Sequence, residues 1–109
     1  MYITKHEKHQ TIILELDGRL DNMGAITLEE ALLGVYDINK SIIVLDMSHV
    51  DYVNSSGLRV IARFLKLSQE NHRELRLFGA MPNITRALEI VGLDSFFPKY
   101  DSLQAALSN

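Results

Sequence analysis

Over residues 11–17 apolar and polar positions alternate: Ile12, Leu14 and Leu16 fall on one side and Thr11, Glu15 and Asp17 on the other. That two-residue period predicts a strand with one buried face. Tyr2–Lys8 precedes it across His9-Gln10, so the two make an N-terminal hairpin. Gly18-Arg19-Leu20-Asp21-Asn22 breaks the alternation and reads as a loop. The period then lengthens. Leu28, Ala31, Leu32 and Val35 stand at i, i+3, i+4 and i+7, the spacing of an amphipathic helix. Asn22 and Thr27, the latter with Glu30 three residues on, are both acceptable caps for it, and Asp37-Ile38-Asn39-Lys40 ends it.

The run Ile42-Ile43-Val44-Leu45 has no polar interruption, which suits a strand buried on both faces and central in its sheet. A polar turn follows, and a helix over residues 56–70 after it. Leu58, Ile61, Ala62 and Leu65 form one apolar stripe on that helix, Val60, Phe64 and Leu67 a second, and Arg59, Arg63 and Lys66 a solvated side. Asn71-His72-Arg73 is a turn, Glu74–Phe78 a short strand and Gly79-Ala80-Met81 its exit. Pro82 and Asn83 open a helix with Ile84, Ala87, Leu88 and Val91 inward, and Gly92 ends it. Residues 93–97 suit a brief edge strand stopped by Pro98, and Asp101-Ser102-Leu103-Gln104 is a capping box for a last helix carrying Leu103, Ala106 and Leu107. Strands alternating with helices behind an opening hairpin predict an α/β fold with a mixed sheet of four to five strands and about four helices.

Composition narrows the function classes. A chain of 109 residues with 47% hydrophobic and 23% charged content is expected to form one globular domain over residues 1–109. Eleven basic against fourteen acidic residues leave a net charge of −3, without the clustered basic footprint of a nucleic-acid binder. No stretch approaches the roughly 18 apolar residues of a membrane span, and Met1-Tyr2-Ile3-Thr4-Lys5-His6 lacks the form of a signal peptide, so a cytoplasmic protein without membrane contact is expected. The absence of cysteine excludes disulfides, thiolate metal sites and thiol nucleophiles.

The remaining chemistry is sparse. A hydrolase would use Ser55 or Ser56 as nucleophile, His49 as base and Asp46 or Asp51 as orienter, but no Gly-x-Ser-x-Gly elbow is present and no enzymatic activity is expected. His6, His9, His49 and His72 are scattered, without carboxylates at ligand spacing, and no metal or other cofactor is expected. Neither Gly-x-Gly-x-x-Gly nor a P-loop occurs. Asn54-Ser55-Ser56 matches a glycosylation acceptor only formally, in a chain with no secretory signal. What stands out is the serine pair where the long helix begins. Ser56 or Ser55 suits a cap for the first N–H groups, with Gly57 permitting close packing. A phosphoserine suits the same place, because the helix dipole tolerates a dianion there and the fold survives the modification. Composition and spacing leave capping and switching both open.

Three stretches carry a resemblance: Leu16-Asp17-Gly18-Arg19-Leu20-Asp21, Ile43-Val44-Leu45-Asp46-Met47-Ser48-His49-Val50-Asp51-Tyr52, and Asn54-Ser55-Ser56-Gly57-Leu58. Together the chain resembles the STAS domain of bacterial anti-sigma factor antagonists, over nearly its whole length. The resemblance implies that Ser55 is the phosphoacceptor and Ser56 the neighbouring hydroxyl that caps the helix. It implies that the unmodified protein binds a serine-kinase anti-sigma factor and frees its sigma factor, that the kinase phosphorylates Ser55 and lets go, and that a PP2C-type phosphatase resets the cycle. Asp21 matches the family's loop aspartate. Asp21, Asn22, Asn54, Ser56, Gly57 and Arg59 are the expected partner contacts, on a protein that is monomeric when free. Asn54 departs from the aspartate of the common pattern, so a non-switching scaffold, or a soluble subunit of a transport or signalling complex, is the alternative.

Overall fold

Alternating β-branched and aliphatic residues build the sheet first. In the computed structural model, residues 1–36 and 41–108 are described. They form β1 (Tyr2–Lys8), β2 (Thr11–Leu20), α1 (Asn22–Tyr36), β3 (Ile42–Val53), α2 (Ser55–Glu70), β4 (Glu74–Phe78), α3 (Pro82–Ile90), a 3-10 turn (Asp94–Phe96) and α4 (Leu103–Leu107). The strand order is β1-β2-β3-β4, with β1 antiparallel to β2 and the pairs β2/β3 and β3/β4 parallel. The expected α/β fold with a mixed sheet is the one observed, with four strands among the described residues.

The pleat of β2 and β3 divides the core. Ile12, Leu14, Leu16, Ile43 and Leu45 point to the face covered by α1, α2 and α3, where they meet Leu28, Leu32, Ile61, Phe64, Ile84 and Leu88. Ile13, Ile42 and Val44 point to the other face and meet Ala106 of α4, with Leu103 and Leu107 packed alongside. Residues 42–45 are buried on both faces, as their unbroken apolar run requires. Below them Arg76 is buried and donates to the Ala106 and Ser108 carbonyls, which fastens α4 to the sheet.

Several expected boundaries move, each for a physical reason. Gly18–Leu20 of the expected loop and the polar turn expected after Leu45 are strand, because β2 and β3 keep pairing up to Leu20 and Val53. The ladder absorbs two register shifts, between Glu15 and Asp17 and between Gly18 and Arg19. At each shift β3 advances one residue further than β2, so Met47 and Val50, three apart, both reach the core. Such bulges break the two-residue period, and residues 46–53 therefore look like a turn.

Helix ends differ as well. Neither Asn22 nor Thr27 caps α1: the Asp21 carboxylate accepts from the Gly24 N–H at 2.9 Å, and the Asp21 carbonyl accepts from Ala25. The expected end at residues 37–40 lies outside the described residues. Val91 is not inward but 51% exposed, because α3 stops at Ile90 and the chain reverses at Gly92, where φ is 75°. Residues 93–97 form no edge strand, since Phe96 and Phe97 donate their N–H groups back to Leu93 and Asp94. Ser102 rather than Asp101 caps α4, accepting from Ala105 at 3.1 Å.

Candidate functional site

Two parallel strands that end side by side bring two helix starts together. β2 ends at Leu20 and leads through Asp21 into α1, and β3 ends at Val53 and leads through Asn54 into α2. The Asn54 N–H donates to the Leu20 carbonyl at 3.1 Å, tying one strand end to the other. Two glycines let the backbones close. A Cβ on Gly57 would lie 2.5 Å from Leu20 Cγ and 2.9 Å from its carbonyl oxygen, and one on Gly24 would lie 2.2 Å from the Arg19 carbonyl oxygen.

Asn54 is the pivot. Its side-chain oxygen accepts from the N–H groups of Ser56 at 3.0 Å and Gly57 at 3.2 Å, so the α2 cap is Asn54 and not Ser56 as the spacing suggested. The physical reason is reach: the residue with extended backbone directly before the helix, φ −115° and ψ −175°, aims its side chain at the second and third N–H groups. Ser56 is turned to another task. Its Oγ donates at 2.9 Å to Asn22 Oδ1, which also accepts from Asn54 Nδ2 at 2.9 Å. Asn22, Asn54 and Ser56 thus form one network joining the starts of α1 and α2. Ser55, the first residue of α2, is exposed and its hydroxyl enters none of these bonds.

Charges ring this network. The Gly24 N–H bonded to its carboxylate, helped by the Arg19 guanidinium at 3.9 Å, holds the Asp21 pKa below the ordinary 3.8. Arg19 also lies 4.0 Å above the Tyr52 ring. Arg59, Arg63 and Lys66 are exposed as expected, and Arg63 pairs with Glu29 of α1 at 2.7 Å. Between the helices runs a shallow groove of about 420 Å3 that Asn22, Ile26, Ser56, Arg59 and Val60 help to line. The expected contacts Asp21, Asn22, Asn54, Ser56, Gly57 and Arg59 all fall on the two helix starts. Sequence reasoning missed the stacked Arg19–Tyr52 pair, and also two exposed apolar residues of the first turns of α1, Met23 at 71% and Ile26, which lines the groove, at 54%. Their signal was present: two large apolar residues of α1 lie off the Leu28, Ala31, Leu32, Val35 stripe.

The hydrolase constellation does not assemble. Ser56 donates to an amide instead of a histidine, and Ser48, not Ser55, lies beside His49 while donating its own proton to Asp46 at 2.7 Å. Among the described residues no group of three histidine, aspartate or glutamate side chains converges as metal ligands do.

The chain is similar to proteins of one kind. A model of the STAS domain matches residues 2–106. BtrV of Bordetella bronchiseptica is 32% identical over 106 residues, covering 97% of this chain and 91% of that protein. RsfB, the anti-sigma-F factor antagonist of Mycobacterium tuberculosis, is 29% identical, covering 97% of this chain and 86% of its own length. The anti-sigma factor antagonist SpoIIAA superposes in its unphosphorylated form with a TM-score of 0.81 at 13% identity, over 96% of this chain and 93% of that one. The Bacillus SpoIIAA in its phosphorylated form gives a TM-score of 0.76 at 13% identity, over 96% of each chain. At that identity the likeness is one of fold. A four-stranded mixed sheet flanked by helices, two helix starts locked together beside an exposed serine, and a family model running over residues 2–106 lead to one conclusion: the chain belongs to the STAS domain family, and its relatives include anti-sigma factor antagonists.

Proposed function

We propose that this protein is a phosphorylation-controlled binding regulator, an anti-sigma factor antagonist in a partner-switching pathway of the bacterial cytoplasm. In its unmodified form it binds a serine-kinase anti-sigma factor through Asp21, Asn22, Asn54, Ser56, Gly57 and Arg59. That kinase transfers a phosphoryl group to Ser55: Oγ bonds to the γ-phosphorus of ATP, ADP leaves, and the hydroxyl proton passes to a base on the kinase. A PP2C-type phosphatase restores the hydroxyl with water and releases inorganic phosphate. The free protein is a monomer.

The observation that carries this reading is the division of labour at the α2 start. Capping falls to Asn54 and bridging to Ser56, so the exposed Ser55 hydroxyl can be modified without undoing either. RsfB, named an anti-sigma-F factor antagonist, and SpoIIAA, known in both phosphorylation states, support the same reading. Switching then needs no refolding. A phosphate brings about −1.5 to −2 charge, and enclosing it in an interface where the partner supplies no counter-charge costs several kcal/mol. A tenfold loss of affinity takes only about 1.4 kcal/mol.

The test pairs intact-mass measurement with partner binding. Incubation with the co-purifying kinase and ATP is expected to add one phosphoryl group to the native protein and none to Ser55→Ala. Ser55→Asp is expected to bind that kinase at least about tenfold more weakly, with an unchanged circular dichroism spectrum. A Ser55→Asp protein that binds as tightly as the native one leaves the non-switching scaffold as the function.

A further inference from the structure

Three arginines stand around the two helix starts, and they are not in the same state. Arg19 is held between the Tyr52 ring and the Asp21 carboxylate. Arg63 is held by Glu29 at 2.7 Å. Arg59 is exposed, lines the groove between α1 and α2, and has no ion pair among the described residues. The polar side chains nearest to Ser55 in sequence are also committed, Asn54 to the cap and Asn22, and Ser56 to Asn22.

Helix geometry singles out the uncommitted cation. Ser55 is the first residue of α2 and Arg59 lies four further on, so their Cβ atoms share one stripe about 5–6 Å apart. Side chains on a helix lean toward its N-terminus, which puts the turn that holds Ser55 within reach of the Arg59 guanidinium. A planar guanidinium meets phosphate oxygens through two parallel N–H donors, a stronger match than a point charge makes.

We propose that a phosphate on Ser55 takes Arg59 as its counter-ion and draws the guanidinium out of the α1–α2 groove. Modification then alters the binding surface at two points: a dianion appears at the helix start and a cation leaves the groove that Ile26 and Val60 line. A partner that places a carboxylate in that groove loses its pairing at the same moment that it meets the phosphate. This rests on Ser55 being the acceptor, and it makes Arg59 the residue through which the modification is read.

The test installs phosphoserine at position 55 during synthesis, so that no kinase is needed, and follows the second phosphate ionisation by phosphorus NMR titration. A neighbouring cation favours the dianion and lowers that pKa. The phosphorylated native sequence is expected to titrate about half a unit below the phosphorylated Arg59→Gln protein. Phosphorylated Arg63→Gln, which removes an equal charge one turn further along and otherwise paired with Glu29, is expected to titrate with the native sequence. An Arg59→Gln protein titrating with the native sequence, or an Arg63→Gln protein shifted as far as Arg59→Gln, overturns the assignment. Failure here leaves phosphorylation by the kinase untouched, and failure of the kinase to modify Ser55 leaves this measurement standing.

Discussion

α2 and α3 both begin beyond the end of a strand in the parallel part of the sheet, yet they solve the same backbone problem in opposite ways. At α2 the side chain of Asn54 takes two of the orphan N–H groups, and a hydrogen-bonded network runs on to Asn22 and Ser56. At α3 the cap is Met81, with no side-chain acceptor, and the first residue is Pro82, which removes one N–H group instead of satisfying it. The N–H groups of Ile84 and Thr85 return to the Met81 carbonyl, and Asn83 makes a single tie to the Asp51 carbonyl at 2.9 Å. A proline start closes a helix and presents little else. An asparagine start leaves a polar framework in which one neighbouring hydroxyl stays outside the network and open to chemistry.

The contrast can be broken most forcibly at Gly57, which the α2 start needs and for which the α3 start has no counterpart. Gly57→Ala drives a Cβ into Leu20 and is expected to lower stability by about 2 kcal/mol in urea denaturation. Removing the cap acceptor comes next: Asn54→Ala is expected to cost about 1 kcal/mol, and to increase amide exchange at Ser56 and Gly57 before the rest of α2. At the other start Pro82→Ala is expected to cost only about 0.5 kcal/mol, through the greater freedom of the unfolded chain, with no change in partner binding. An Asn54→Ala loss no larger than that of Pro82→Ala would remove the distinction between the two starts.

The smallest expected effect is a pH dependence at Asp21. Its pKa is depressed in the folded protein, so its contribution to stability is fully present above 3.8 and is lost as pH falls through the lower folded value. Asp21→Asn keeps an oxygen to accept from Gly24 but cannot titrate. Its acid denaturation profile is expected to be flatter than that of the native protein below pH 3.8, the ordinary carboxylate value. Parallel profiles for the two proteins would show that the carboxylate is not engaged as the geometry indicates.

Much of the fold was legible because burial writes itself into spacing. Ile12, Leu14 and Leu16 alternate, Leu28, Leu32 and Val35 recur at helical intervals, and residues 42–45 admit no polar residue, and each pattern corresponds to an element in place. Where spacing is interrupted the reading failed. The bulges of β3 made its second half, up to Val53, look like a turn, and the local N–H bonds of Asp94–Phe96 replaced an expected strand. In the site, the motif picked out residues that the structure brings together but assigned the cap to the wrong side chain, because Asn54 and Ser56 are equally good acceptors in one dimension.

The sequence alone determined the α/β alternation, the central strand, the two-sided core and the place of the serine pair at a helix start. These follow from local period and from which residues avoid water. Only the tertiary structure decided that Leu20 and Val53 end side by side, that Asn22 of one helix accepts from Asn54 and Ser56 of the other, and that Arg63 finds Glu29 while Arg59 does not. Those facts depend on distances between residues more than thirty positions apart, and such distances are set by how the strands register and the helices pack, which no local pattern encodes.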